Sequence, residues 1–252
     1  MRIVRIRADG KTKYGVVNGD RIIGYSGSPF TAFKPDGTKY SLEDVKLLPP
    51  CTPTKIVCLG LNYHAHIAEF KGTEPQNPII FLKPLTAIIG PGDNIVRPND
   101  GRIDYEGELG VVIGRKAKNI SRKDALKYVL GYTCFNDVTD RIAQKSDGQW
   151  TRAKSFDTFA PFGPWIETEL DAGDLLLETW LNGELKQAQR TSELIFDIPT
   201  VLSFISEIMT LLPGDIIATG TPSGVGPMKT GDKVEIKIEK LGTLVNYVAD
   251  RK

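Results

Sequence analysis

Two Asn-Gly pairs, Asn18-Gly19 and Asn182-Gly183, each stand between short runs of alternating polar and apolar residues, and they limit the fold more than any other local feature. Asn-Gly is favoured in two-residue hairpin loops because positive φ gives the turn a twist that matches its strands. The first pair joins runs at 13–17 and 21–25, preceded across Asp9-Gly10 by a run at 2–6; the second joins 175–181 to 184–188. Further strand-like runs fall at 55–61, 79–82, 87–89, 106–113, 132–137 and 216–219. A run at 234–239 (VEIKIE) alternates cleanly enough to predict a half-exposed strand. Helices are few. Ser121 and Asp124 form a capping box for SRKDALKYVL, closed by Gly131. A second helix runs from Pro199 to Leu212, with Val201, Ile205, Ile208 and Leu212 on one stripe and a stop at Pro213-Gly214. Many short strands with two or three helices define a mixed, mainly β fold. A doubly wound α/β fold needs regular helices between strands, and neither G-x-G-x-x-G nor a P-loop occurs.

Prolines at 49, 50 and 53 mark a boundary between a small hairpin-rich N-terminal domain, residues 1–50, and a larger domain, residues 51–252. Apolar residues at 40% support a sizeable core, and 32 basic against 31 acidic residues leave no nucleic-acid footprint. MRIVRIRADG lacks the apolar stretch and cleavage site of a secretory signal, and no window reaches the roughly 18 apolar residues of a membrane helix. Cys51, Cys58 and Cys134 are odd in number and lack C-x-x-C spacing, which suits a reducing cytoplasm better than a disulfide scaffold or thiolate zinc site.

Glu106 and Glu108 in DYEGELGVVIG point to one face if the segment is a strand, and two adjacent buried carboxylates repel. A divalent cation offsets that cost, and Asp137 in YTCFNDVTDR completes three hard oxygen donors suited to magnesium or manganese. An exposed strand with solvated charges is the alternative; Gly107 between the acids and the apolar LGVVIG that follows argue for burial. Only two histidines exist, His64 and His66, too few for a histidine-rich zinc site. His66 and Glu69 are one helical turn apart, an orientation that lets a carboxylate raise imidazole basicity, whereas His64 has no acid three or four residues away. Arg141 and Gln144 would share a face of a helix beginning near Thr139, either toward the metal or as an ordinary charged surface. Lys154, among aromatic and apolar residues, either snorkels to solvent or is held inward by negative charge. Thr219, Gly220 and Thr221 end a strand where N–H groups and hydroxyls suit an oxyanion, or form only a tight turn.

The motifs GLNYHAHIAE, PIIFLKP, DYEGELGVVIG, GYTCFNDVTDR, AKSFDTFAPFGPW, LNGELKQ and PGDIIATGTPSGVG, in this order over about 55–240, resemble the fumarylacetoacetate hydrolase family. The resemblance implies a β-roll or barrel catalytic domain, a homodimer, and a small 2-oxo acid as substrate, with no nucleic acid or membrane partner. It implies Glu106, Glu108 and Asp137 as metal ligands, with magnesium the usual ion and manganese or calcium as alternatives. His66 and Glu69 match the family's catalytic dyad on a segment that closes over substrate, and Lys154 matches its active-site lysine. Lys83, Arg141, Gln144 and Thr221 fall at substrate-contacting or supporting positions. Leu61 stands where the family pattern often has arginine, which puts the usual dicarboxylate preference in doubt. The implied reaction is hydrolysis of the C–C bond of an acylpyruvate through a metal-stabilised enolate. The same site suits isomerisation of a 2-hydroxyhepta-2,4-diene-1,7-dioate, decarboxylation of an oxaloacetate-like acid, or sugar-acid dehydration. A non-enzymatic binding module would instead close its metal with protein ligands alone.

Overall fold

The computed structural model describes residues 1–65, 73–98 and 100–251. Three sheets form among these residues, of twelve, three and five strands. Strand Arg2–Ala8 pairs with Lys11–Asn18, which pairs with Arg21–Gly27 and then Phe33–Ser41. The Asp9-Gly10 and Asn182-Gly183 turns carry positive φ at both residues. At the other predicted hairpin Asn18 is still a strand residue paired with Arg21, so the loop is Gly19-Asp20 and positive φ falls on Gly19 alone. The strand Phe33–Ser41 forms despite Pro35 and Gly37, because it lies at the sheet edge, where proline costs no ladder bond.

The first hairpins join the rest of the chain through Arg2↔Glu167 and Ile3↔Ile166, the contact between Arg2–Ala8 and strand Ala160–Glu167. From there the large sheet continues through Val129–Asn136, Gly107–Ile113, Ile216–Ala218 and Ile56–Gly60 to the edge strand Ile79–Lys83. The fold is mainly β as expected. In place of a closed barrel it has an open sheet ending in two edge strands.

Every residue of Gly107–Ile113 is buried, because the strand is covered on both faces. Leu109, Val111 and Ile113 meet Leu177, Ile236, Ile238 and Leu244 of the five-stranded sheet, while Val112 joins Ile56, Phe135, Phe162 and Ile216 on the opposite side. Each such side chain contributes about 1.5–3 kcal/mol of burial, so the strand that carries the glutamates is held rigidly.

Two predicted helices are shorter than their sequence patterns. The helix Ile198–Ile208 is capped by Asp197, which accepts from Thr200 N at 2.9 Å, and buries Val201, Leu202 and Ile205. It stops before Leu212 because Leu211 and Ala117 exchange backbone bonds at 2.9 Å and Leu212 N donates to Asp215. SRKDALKYVL forms only a 3₁₀ turn over Arg122–Tyr128 and then becomes strand. Gly131 lies within that strand, against Glu167 O, where a Cβ would come within 2.3 Å.

Candidate metal centre and adjoining pocket

The chain changes sheets at Glu106, between strand Ile103–Tyr105 of the small sheet and Gly107–Ile113 of the large one. Glu106 N donates to Asn136 Oδ1 at 3.0 Å, and Asp137 N donates to Glu106 O at 2.9 Å. Asp137, just past strand Val129–Asn136, is thereby locked to the glutamate segment. One carboxylate oxygen from each of Glu106, Glu108 and Asp137 lies within 4.8 Å of the other two, and all three residues are buried. The exposed-strand alternative is excluded.

Buried carboxylates need compensation, and cations surround two of the three. Lys154 Nζ donates to Glu106 Oε2 at 2.6 Å and to Asp137 Oδ2. Lys83, equally buried, donates to Asp137 Oδ1 and to Val138 O at 3.1 Å. Arg141 sends Nη2 to within 2.6 Å of Glu106 Oε1, Nε to Asp104 Oδ2 at 2.8 Å and Nη1 to Gln144 Oε1 at 2.8 Å. Burial alone would lower the Lys154 pKa, but the negative charges of Asp137 and Glu106 outweigh it and raise the value, so the ammonium is held inward and protonated.

Glu108 is different. Its Oε2 accepts from Gly220 N at 2.9 Å, and no cationic side chain pairs with it among the described residues. Burial, then repulsion from Asp137 and Glu106, pushes its carboxyl well above the usual range, only partly offset by Lys154 and the Gly220 N–H. A compact trio of oxygen donors with one carboxylate lacking a counter-charge fits a hard divalent cation.

Glu106, Glu108, Arg141, Gln144, Lys154 and Thr221 form the polar wall of a cavity of about 250 Å³; Leu59, Leu61, Phe81 and Trp150 form the apolar wall. The Trp150 ring rests on Gly60, where a Cβ would come within 2.3 Å of it. Arg141 and Gln144 lie on the helix Arg141–Asp147, which starts two residues later than expected because Thr139–Asp140 is strand and Asp140 caps Ile142 and Ala143. Arg141 is engaged by Asp104, Glu106 and Gln144, so its first task is to hold Glu106. The Thr221 hydroxyl donates to Gly107 O at 2.9 Å and that of Thr219 to Leu109 O at 3.1 Å, tying this strand end to the glutamate strand. His66 and Glu69 lie outside the described residues. His64 does have an acidic partner, Glu74, at 2.6 Å. That pairing spans ten positions, farther than one helical turn reaches.

Two supporting residues went unread in the sequence. Asp104 is fully buried and binds both Arg102, at 2.8 and 2.9 Å, and Arg141. Its signal was present, since Asp104, Glu106 and Glu108 continue one period-two series. Asn62 donates to Thr219 O at 2.8 Å and accepts from Phe196 N at 2.8 Å, bonds across the fold that leave no local pattern.

The mainly β fold and the buried trio of acids together define a protein built around an oxygen-donor cluster suited to a divalent cation. The fumarylacetoacetate (FAA) hydrolase C-terminal family model matches residues 55–249, and the chain belongs to that family. A second model, Rv2993c-like N-terminal, matches residues 1–50. The solved 5-carboxymethyl-2-hydroxymuconate delta-isomerase of Mycobacterium smegmatis is 44% identical, with a TM-score of 0.94 over 100% of both chains. The maleylpyruvate hydrolase of Sphingobium sp. SYK-6, solved in complex with manganese(II) ion and pyruvate, is 33% identical, with a TM-score of 0.85 over 100% of both chains. Among curated relatives, the rat mitochondrial oxaloacetate tautomerase Fahd2a is 41% identical over 82% of this chain and 70% of its own. No helix among the described residues is long and apolar enough to cross a membrane.

Proposed function

We propose that this chain is a magnesium-dependent hydrolase that cleaves the C–C bond of an acylpyruvate-like 2-oxo acid. The observation that carries the reading is the buried trio of Glu106, Glu108 and Asp137, two of which face the cavity beside Lys154. These three residues would hold the ion. When bound, a divalent cation supplies Lewis acidity to a 2-oxo oxygen. The manganese and pyruvate in the Sphingobium hydrolase support an ion and a 2-oxo acid in such a site.

The protein's own groups divide the remaining work. Lys83 and Arg141 each fix one carboxylate oxygen, of Asp137 and Glu106 respectively, so the ligand set is preorganised before substrate arrives. Lys154, protonated and facing the cavity, would stabilise negative charge developing on the substrate. His66, oriented by Glu69, would take a proton from water as the water oxygen bonds to the distal carbonyl carbon. The bond from that carbon to the pyruvate methylene then breaks. The electron pair would remain with the pyruvate fragment, whose methylene carbon would take back the proton held by His66, giving pyruvate and a second acid. Gln144 and Thr221, on the cavity wall, would contact the bound acid. A homodimer is part of the same proposal, as is a reducing cytoplasm, the latter supported by three buried, free cysteines.

A purified sample assayed with an acylpyruvate and with a hydroxy-diene-dioate, each with and without magnesium, tests the reading. Magnesium-dependent release of pyruvate, lost in Glu106→Gln, is expected; turnover unchanged by that substitution would overturn it. Isomerisation is the second reading, favoured by the isomerase and tautomerase names of two relatives. It moves only protons, so activity toward the diene-dioate that survives His66→Ala would favour it.

A further inference from the structure

Gly107, the residue between the two glutamates, is gripped from a different sheet. Its N–H donates to Gln187 Oε1 at 3.1 Å, and its carbonyl accepts from the Thr221 hydroxyl at 2.9 Å. Gln187 Nε2 in turn donates to Thr221 Oγ1 at 2.9 Å and to Pro222 O at 2.8 Å. Gln187 is 1% exposed and lies on strand Glu184–Arg190 of the five-stranded sheet, whereas Glu108 lies on a strand of the twelve-stranded sheet and Glu106 immediately before it. The approach is close enough to exclude any side chain at 107: a Cβ there would come within 2.1 Å of Thr179 Oγ1 and 3.3 Å of Gln187 Oε1.

We propose that Gln187 is a positioning residue for the metal centre, fixing the peptide that carries Glu106 and Glu108 and the Thr221 hydroxyl in one mutual arrangement. A buried primary amide suits this task, because one oxygen accepts and one nitrogen donates twice, satisfying three partners in two distant segments of the chain. A shorter or apolar side chain cannot bridge all of them. With the bridge gone, the Gly107 peptide can rotate, and a small rotation about it swings the two flanking carboxylates in different directions. Residues that orient ligands from behind typically alter metal affinity by about 10- to 100-fold. This inference rests on the metal-centre reading above.

The test is manganese(II) binding to the metal-stripped full chain, followed by electron paramagnetic resonance, for wild type, Gln187→Asn and Gln187→Met. Gln187→Asn keeps the amide in its polar niche but is one methylene short, which preserves the fold should the methionine variant unfold. The expected result is an apparent Kd raised about 10- to 100-fold in folded variant protein, with faster amide hydrogen exchange across 106–108. A wild-type Kd in folded Gln187→Asn, even with a lowered Tm, would make the residue merely structural and overturn the inference. A wild type that binds no manganese would overturn the metal-centre reading itself.

Discussion

Lys154→Met separates the electrostatics of the empty site from those of the loaded one. Lys154 is the counter-charge shared by Glu106 and Asp137, 2.6 Å from the first and hydrogen-bonded to the second, at full burial. Methionine matches its length and can rest against Phe81, whose ring centroid lies 5.1 Å from the lysine nitrogen. Removing one partner of a buried ion pair costs about 3–5 kcal/mol because the other charge is left uncompensated. For a chain of this length each kcal/mol lowers Tm by about 2–4 °C, so the metal-free variant should melt about 6–20 °C below wild type. A divalent cation neutralises the same two carboxylates, so with saturating manganese the difference should fall to less than half. Scanning calorimetry of stripped and loaded samples provides both numbers. Equal losses with and without the ion, or a metal-free loss below about 1 kcal/mol, would refute the argument that lysine and metal compensate the same carboxylates.

Three further outcomes follow from the same geometry. Asp215, fully buried, accepts from Thr54 N and Oγ1, Lys55 N and Nζ, and Leu212 N, so Asp215→Ala should cost about 3–5 kcal/mol in urea unfolding; a loss below 1 would contradict its role as the joint between linker and core. Burial alone would raise the Asp197 carboxyl, but the Thr200 bonds and Arg122 outweigh it and hold it below its ordinary range. That stabilisation is present above the unfolded carboxyl pKa and disappears as pH falls through the folded one; the gap between wild type and Asp197→Asn should therefore close on acidification, and a pH-independent gap would exclude the charge as its source. Gly60→Ala places a Cβ within 2.3 Å of Trp150 and should displace the apolar wall, lowering kcat/KM about 10- to 100-fold; unchanged kinetics would show that the wall does not position substrate.

What the sequence made legible was local. The Asp9-Gly10 and Asn182-Gly183 turns, the period-two spacing of Glu106 and Glu108, and the apolar stripe at Val201 and Ile205 each report on one short segment, and the structure bears out each. The errors arose where distant segments override local preference. SRKDALKYVL has a good capping box, yet the backbone of Glu167 lies against Gly131 and the chain becomes strand after one 3₁₀ stretch. Helix spacing continues to Leu212, yet Leu211 is claimed by Ala117. Gln187 and Asn62 could not be singled out at all, since their partners lie more than thirty positions away. Asp104 could have been, by carrying the glutamate alternation one step toward the N-terminus.

The central claim is that Glu106, Glu108 and Asp137 bind one divalent cation that a 2-oxo acid then shares. Calorimetric titration of the metal-stripped full chain with manganese, with pyruvate present and absent, compares wild type directly with Glu108→Gln. The account predicts one ion per chain in wild type, tighter uptake with pyruvate, and no uptake in Glu108→Gln despite a native unfolding transition. Uptake of the same stoichiometry and affinity in both proteins would contradict it.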